Sequence, residues 1–133
     1  SSANWYRDMK FNKTGIILNT ENYQACVTFY GEILGLAQLY QIDRPGETLT
    51  CFDMGGAYLM VETGGTSQPE GKTLETCPVK FRFNVDDVSD AAAELMARGV
   101  GVTVKEHDWG TTGEFHDPDG NRCALRSDRD FGG

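Results

Sequence analysis

The feature that most constrains the fold of this chain is an internal repeat. Four landmarks recur at an almost constant separation, and each holds the same place in a pattern of strand, helix and three strands. The matched pairs are Gly35 and Gly99, Asp53 and Asp117, and Gly56 and Gly120, each 64 residues apart, and Leu18 and Phe83, 65 apart. A repeat of fixed period predicts two copies of one structural unit.

Each copy is predicted from its own pattern. Short β-branched runs predict strands, and apolar residues at helical spacing predict one helix per copy. Asn22 is expected to cap the first helix, which ends at Gly35, and Asp86/Asp87 to cap the second, which ends at Gly99. Gly55-Gly56 predicts a tight turn, and Asp117 and Asp119 are expected to bond the backbone of their own turn. The predicted strands are 14–20, 36–42, 48–54 and 57–62 in the first copy, and 79–85, 101–106, 111–116 and 122–127 in the second.

These elements divide the chain into parts of one structural domain. The stretch between the copies is polar, rich in glycine and without periodicity, which is typical of a linker. The predicted parts are an N-terminal segment at 1–12, a first βαβββ module at 13–63, the linker at 64–78, a second module at 79–127 and a C-terminal tail at 128–133.

Charge and composition exclude several classes of function. The chain has a net charge of −8, which argues against nucleic acid or an anionic membrane as a partner. No apolar stretch approaches the ~20 residues of a membrane span, and the first residues do not form a signal peptide, so we expect a cytoplasmic protein. The four cysteines lack metal-site spacing and are expected to be free thiols, at positions Cys26, Cys51, Cys77 and Cys123.

Two motifs at corresponding ends of the copies resemble a known family. The run Thr28–Leu36 (TFYGEILGL) resembles the FYxxxLGL signature of the vicinal-oxygen-chelate superfamily of glyoxalases, bleomycin-resistance proteins and extradiol dioxygenases. Asp117–Asn121 (DPDGN), preceded by Trp109-Gly110, resembles the bleomycin-resistance branch, whose members work without a metal. The resemblance spans 13–127. It implies an α+β fold whose two βαβββ modules form a cup-shaped curved sheet with helices outside, and a homodimer.

The same resemblance bears on metal binding. Metal-dependent members take His or Glu ligands from one point on each of four strands, and those points fall here on Gly15, Met60, Lys80 and Ala124. None of these is a ligand for a first-row transition metal, and Glu62, two residues from the second point, would be a lone carboxylate. We therefore expect no metal and no other cofactor.

Strand alternation and the resemblance together select candidate ligand-binding residues. Successive residues of a strand face opposite sides, which places Tyr58, Met60 and Glu62, and also Lys80, Arg82 and Arg122, inside the cup. Trp109 resembles the residue that stacks on the drug in bleomycin-binding relatives, and Tyr40 resembles a second aromatic position there. The candidate set is Tyr40, Tyr58, Met60, Glu62, Lys80, Arg82, Trp109 and Arg122.

Three functions fit this set. The first is metal-independent binding and sequestration of a small planar or amphiphilic molecule, without catalysis. The alternative is a metal-free lyase or isomerase-type enzyme of the same superfamily that uses Glu62 with Lys80 or Arg82 for acid–base chemistry. The third is a cup filled by its own side chains that serves assembly alone. The overall negative charge suits a cationic ligand, whereas the basic residues inside the cup suit an anionic one.

Overall fold

Two four-stranded mixed sheets build the fold in the computed structural model, which describes residues 9–129 and 131–132. The first sheet holds β1 (Gly15–Thr20), β2 (Gln38–Arg44), β3 (Glu47–Asp53) and β4 (Tyr58–Thr63), and the second holds β5 (Phe81–Val85), β6 (Thr103–His107), β7 (Gly110–His116) and β8 (Arg122–Ser127). The helical elements are α1 (Tyr23–Thr28), a π-helical turn (Phe29–Ile33) and α2 (Val88–Ala97). Within the described residues, no helix is both long enough and apolar enough to cross a membrane.

The two sheets have the same topology. Their strand orders are β1-β4-β3-β2 and β5-β8-β7-β6, so in each copy the first strand lies at one edge of the sheet and is the parallel neighbour of the last strand. Leu18 pairs with Val61 in the first sheet, and Phe83 pairs with Leu125 in the second. The predicted βαβββ repeat and its α+β fold are confirmed.

The first helix differs from its prediction. Periodicity predicts a helix from Asn22 to Gly35, but α1 ends at Thr28, and a π-helical turn follows in which the amide of Leu34 donates to the carbonyl of Phe29 at 2.9 Å. Asn22 was expected to cap the helix, and its side chain forms no capping bond. Its amide nitrogen donates instead to the carboxylate of Asp119 at 2.7 Å, because the fold brings that acceptor from the other module.

The second helix follows the prediction more closely. The side chain of Asp87 caps α2 by accepting a hydrogen bond from the amide of Asp90 at 2.9 Å. Beyond its last turn, Gly99 adopts a φ of +90°, a conformation that glycine enters without strain. Arg98, at the same end, donates to the carbonyl of Ile33 at 2.6 Å and so ties the second helix to the end of the first helical segment.

One hydrophobic core serves both modules. The ring of Phe29 lies 6.1 Å from Phe115, and the ring of Tyr30 lies 6.2 Å from Phe81 with their planes 69° apart. These contacts place the π-helical turn of the first module against strands of the second. The repeat therefore folds as a unit whose halves share apolar burial.

The turn after β7 joins the two modules through hydrogen bonds. As predicted, Asp117 bonds its own turn, accepting from the amides of Asp119 and Asn121 at 2.9 Å each. The expectation for Asp119 was wrong: its buried carboxylate accepts instead from the amide of Glu21 at 3.2 Å and from the side chain of Asn22, because the fold brings the first module against this turn. The DPDGN turn of the second module is thus hydrogen-bonded to the first module.

Candidate functional site

Each sheet has a side turned away from the shared core, which we call its cup face. On β4 the core side carries Leu59 and Val61, which are fully buried, while Tyr58, Met60 and Glu62 on the cup face are half-buried. On β5, Phe81 is buried and Arg82 is exposed. On β4 and β5, the side chains therefore alternate between the core and the cup face as the sequence predicted.

A cavity of about 520 Å³ opens on the cup face of the first sheet. Three of the predicted residues line it, Tyr40 from β2 and Tyr58 and Met60 from β4. The other lining residues are Asn12, Lys13, Thr14, Leu39, Cys51, Asp53, Gly56 and Ala57. Strand pairing brings these side chains together, because Cys51 is the register partner of both Tyr40 and Met60.

The position of the Tyr58 ring depends on a glycine. Tyr58 and Gly15 are register partners on the parallel pair β1–β4, and the ring of Tyr58 lies across the backbone of Gly15. A Cβ at position 15 would lie 2.2 Å from the ring, so no other residue fits there without moving the tyrosine. Gly15 thereby lets Tyr58 lie flat as one wall of the cavity.

Tyr40 forms another wall of this cavity and is about half exposed. A register irregularity between Gln38 and Tyr40 sets Tyr40 opposite the buried Cys51. The pKa of the Tyr40 phenol is raised, first by partial loss of hydration and then by the adjacent Cys51 thiol. Like that of an ordinary tyrosine, the phenol is protonated at neutral pH and can donate a hydrogen bond to a ligand.

The charged residues assigned to acid–base chemistry are not bonded to one another. Lys80 donates to Glu114 on β7, with Nζ 2.9 Å from Oε1, so that its charge is paired within the second sheet. Glu62 lies on the first sheet, as register partner of Asn19 and Leu49. Among the described residues, no ion pair or hydrogen bond joins Glu62 to Lys80 or Arg82.

Trp109 lies at one end of the second sheet, just before β7. Its indole is 49% exposed and stacks on the imidazole of His107, with ring centroids 4.4 Å apart and planes 6° apart. It borders a cavity of about 390 Å³ at whose rim four carboxylates stand, those of Asp86, Asp87, Glu106 and Asp108. This cavity shares no lining residue with the Tyr40 cavity, so the two aromatics stand at separate openings.

The four points that correspond to metal ligands do not fit a metal ion. The ring of Tyr58 covers Gly15, Lys80 is paired with Glu114, and Ala124 is fully buried and offers no ligand atom. Only the thioether of Met60 remains, which is a poor ligand for a hard or borderline cation. No group of three or more His, Cys, Asp or Glu side chains suited to a metal occurs in the part of the chain that the structure describes.

Sequence reasoning missed three residues that shape these surfaces. Arg126 was not selected, although it lies on the same face of β8 as Arg122 and its guanidinium carbon is 5.0 Å from the centroid of the Trp109 ring. His107 forms the stacking partner of Trp109, and Phe131 lies over Arg126 and Arg82. Alternation on β8 was a signal for Arg126, whereas nothing local in the sequence indicates where Phe131 packs.

Comparison with known proteins agrees with this architecture. A family model described as the Glyoxalase/Bleomycin resistance protein/Dioxygenase superfamily matches residues 10–125. No curated protein sequence matches the chain.

Solved structures share the fold over most of the chain. TnmS3, an antibiotic binding protein from Streptomyces sp. CB03234, is 21% identical with a TM-score of 0.70, over 89% of this chain and 96% of that one. A lactoylglutathione lyase from Agrobacterium tumefaciens is 18% identical with a TM-score of 0.69, over 95% and 100%. A glyoxalase/bleomycin resistance protein from the same Streptomyces strain is 23% identical with a TM-score of 0.65, over 86% and 99%. At these identities the likeness shows the fold.

Proposed function

Because the chain belongs to the glyoxalase/bleomycin resistance protein/dioxygenase superfamily, we propose that it binds a small planar or amphiphilic molecule without a metal ion. The binding place is the cavity on the cup face of the first sheet. The proposed role is sequestration, in the manner of a bleomycin-resistance protein.

One observation carries the proposal: Tyr40, Tyr58 and Met60 converge on a single cavity of about 520 Å³. Ligand pockets commonly enclose roughly 300–1,000 Å³ and combine apolar walls with a few polar groups. Aromatic side chains supply a large contact area with little loss of rotamer entropy. The hydroxyl of Tyr40, which is protonated at neutral pH, supplies one hydrogen-bond donor to the cavity.

Binding is favoured over catalysis by the state of the charged residues. The fold serves both roles in its neighbours, one of which is an antibiotic binding protein and another a lactoylglutathione lyase. In this chain, Lys80 is paired with Glu114, and no described contact gives Glu62 a cationic partner. An acid–base mechanism needs a donor and an acceptor within hydrogen-bond reach of one substrate.

The proposal includes a homodimer. Three large apolar side chains stand exposed on the first module, those of Ile17, Leu39 and Tyr40. Leu39 and Tyr40 also line the cavity, which is open to solvent. A second copy that covered this side would bury apolar surface and close the cavity around a ligand.

The test is a calorimetric titration of a planar ligand identified by thermal-shift screening. We expect Tyr58→Ala to weaken binding by about tenfold or more, because a wall of the cavity is lost. Gly15→Ala should weaken it as well, because the added methyl displaces the Tyr58 ring.

The matched controls are Leu74→Ala, which removes an exposed apolar side chain outside the cavity lining, and Gly101→Ala, whose new methyl meets nothing within 4 Å. Both should bind as the unmodified protein does. A ligand that binds Tyr58→Ala and Gly15→Ala with unchanged affinity does not occupy this cavity, and the proposal would fail.

A further inference from the structure

The cup face of the second sheet is basic in a chain of net charge −8. Arg82 pairs across the sheet with Ala124, and Ala124 pairs with Glu114, so these positions share one face. The cationic side chains of this face on β8 and at β5 are Lys80, Arg82, Arg122 and Arg126. Glu114 alone opposes them on the paired strands, and it is held by Lys80. The face therefore carries an excess of positive charge.

Arg126 is the least usual member of this face because it is only 5% exposed. Its guanidinium donates to the carbonyls of Trp109 at 2.9 Å and Arg129 at 3.1 Å, and to the carbonyl of Ser127. Its Nε has no hydrogen-bond partner among the described residues. Among the described residues, the hydrogen-bond acceptors of this buried cation are all neutral carbonyls. A carboxylate at Nε would supply both the missing bond and a negative charge.

An aromatic ring of the chain itself covers this cation. Phe131 lies with its ring centroid 5.1 Å from Cζ of Arg126 and 5.8 Å from Cζ of Arg82. The indole of Trp109 lies 5.0 Å from Cζ of Arg126 as well. Arginine over an aromatic face within about 6 Å is a favourable cation–π contact. The ring of Phe131 thus sits where a flat ligand would contact both guanidinium groups.

The segment that carries this ring is weakly attached. We call residues 128–132 the C-terminal segment, of which 128, 129, 131 and 132 are described. Its described hydrogen bonds to the sheet are three: from the amide of Asp128 to the carbonyl of Val85 at 2.8 Å, from the side chain of Asn84 to the carboxylate of Asp128 at 3.4 Å, and from Arg126 to the carbonyl of Arg129 at 3.1 Å. The ring of Phe131 remains 54% exposed. A segment with few buried contacts opens at a small free-energy cost.

We propose that the C-terminal segment is an internal occupant of an anion site, and that the ligand it excludes is an aromatic carboxylate. The ligand ring would take the place of Phe131 over Arg82 and Arg126, and its carboxylate would meet the unpartnered Nε of Arg126. Binding then requires the segment to leave, so the observed affinity is the intrinsic affinity reduced by the fraction of open molecules.

This inference uses a different sheet from the proposed function and does not depend on it. The first-sheet cavity is lined by Tyr40, Tyr58 and Met60, whereas the anion site is formed by Arg82, Arg126 and the ring that covers them. Variants on one sheet can therefore be read independently of variants on the other.

The experiment is a calorimetric titration with two matched probes, a naphthoate anion and a naphthylmethylammonium cation, which share the ring and differ in charge. We expect Phe131→Ala to bind naphthoate more tightly, by up to about tenfold if the site is open in about one molecule in ten. Arg82→Gln should weaken naphthoate binding several-fold, and added salt should weaken it further. Phe11→Ala, which removes another highly exposed phenylalanine, should change nothing.

Three results would overturn the inference. Naphthoate affinity that is unchanged or lower in Phe131→Ala would show that the ring is not a competitor. Tighter binding of the cation than of the anion would show that the face does not select negative charge, and no detectable naphthoate binding to either protein would show that no such site exists. If Tyr58→Ala abolishes naphthoate binding while Phe131→Ala leaves it unchanged, the probe occupies the first-sheet cavity, and this inference fails while the proposed function stands.

Discussion

The hydroxyl of Tyr30 donates a 2.6 Å hydrogen bond to the carboxylate of Asp117, across the boundary between the two repeats. Tyr30 is completely buried and Asp117 nearly so. The pKa of Tyr30 is raised well above its ordinary value, first by burial and then by the nearby Cys123 and Asp117. The phenol is therefore a neutral donor to a buried carboxylate. Tyr30 belongs to the TFYGEILGL motif of the first copy, and Asp117 belongs to the DPDGN motif of the second.

We expect Tyr30→Phe to lower the free energy of unfolding by about 1.5–3 kcal/mol, because the substitution removes a hydrogen bond to a buried charged group. Urea denaturation measures this change. Tyr23→Phe is the matched control, since its hydroxyl bonds Thr50 at 2.5 Å within the first module, where the tyrosine is only half-buried. A loss in Tyr30→Phe no larger than that in Tyr23→Phe would contradict the bridging role.

Alkaline pH should destabilise the protein through Cys26. Burial, the largest cause, raises the pKa of this thiol from 9.0 to about 12. Its contribution to stability is complete below pH 9 and is lost as the pH rises toward 12, because the unfolded chain ionises first. Between pH 8.5 and about pH 10.5 the ionisation of this thiol should lower the free energy of unfolding by about 2 kcal/mol. Urea midpoints for unmodified protein and Cys26→Ala should converge as the pH rises; parallel curves would contradict the assignment.

Replacing Trp109 by alanine should leave the affinity of a ligand bound in the first-sheet cavity unchanged, because Trp109 does not line that cavity. A loss of more than tenfold would instead assign the ligand to the exposed face of the indole. The loss of the stacking area corresponds to about 2 kcal/mol. Quenching of tryptophan fluorescence follows the titration. Trp5→Ala is the control; Trp5 lies outside the described residues. Equal affinity of Trp109→Ala and unmodified protein would exclude stacking there.

The purified protein should contain no stoichiometric transition metal, because Gly15, Met60, Lys80 and Ala124 stand at the four ligand points. Elemental analysis after dialysis measures the content of nickel, zinc, manganese and iron. One equivalent of any of them, removed by a chelator together with ligand binding, would contradict this prediction.

Light scattering at micromolar concentration should give twice the 14.7 kDa mass of one chain. The expected dimer follows from the exposed apolar side chains of Ile17, Leu39 and Tyr40. An Ile17→Lys variant, with a charge placed on that face, should shift the mass toward the monomer, whereas Met96→Lys on α2 should not. A single-chain mass in the unmodified protein would refute the dimer.

Local pattern predicted the features that depend on sequence neighbours. Alternation placed Tyr58 and Met60 on one face of β4 and Leu59 on the other, because a strand reverses its side chains at every residue. The constant separation of Gly35 and Gly99 predicted two equal modules, which the matching sheet orders confirm. Asp87 caps its helix as predicted, because the carboxylate and its target amide are three residues apart.

Tertiary structure decided the features that depend on distant partners. Asn22 has the local chemistry of a helix cap, yet Asp119 lies 97 residues away in the chain and takes its side chain. Lys80 was assigned to a ligand, but the sheet pairs it with Glu114, 34 residues on. Trp109 and Tyr40 are both aromatic rim residues, and the fold sets them at separate cavities.

The sequence by itself determined the repeat and the strand faces, since both are fixed by residue type and spacing, and its resemblance to the family identified the metal-ligand positions that lack a ligand. Only the folded chain decided which charges neutralise each other and which ring covers Arg126. Those outcomes depend on contacts between segments far apart in the chain, where a carboxylate or an aromatic ring competes with solvent, and no local pattern encodes the result of that competition.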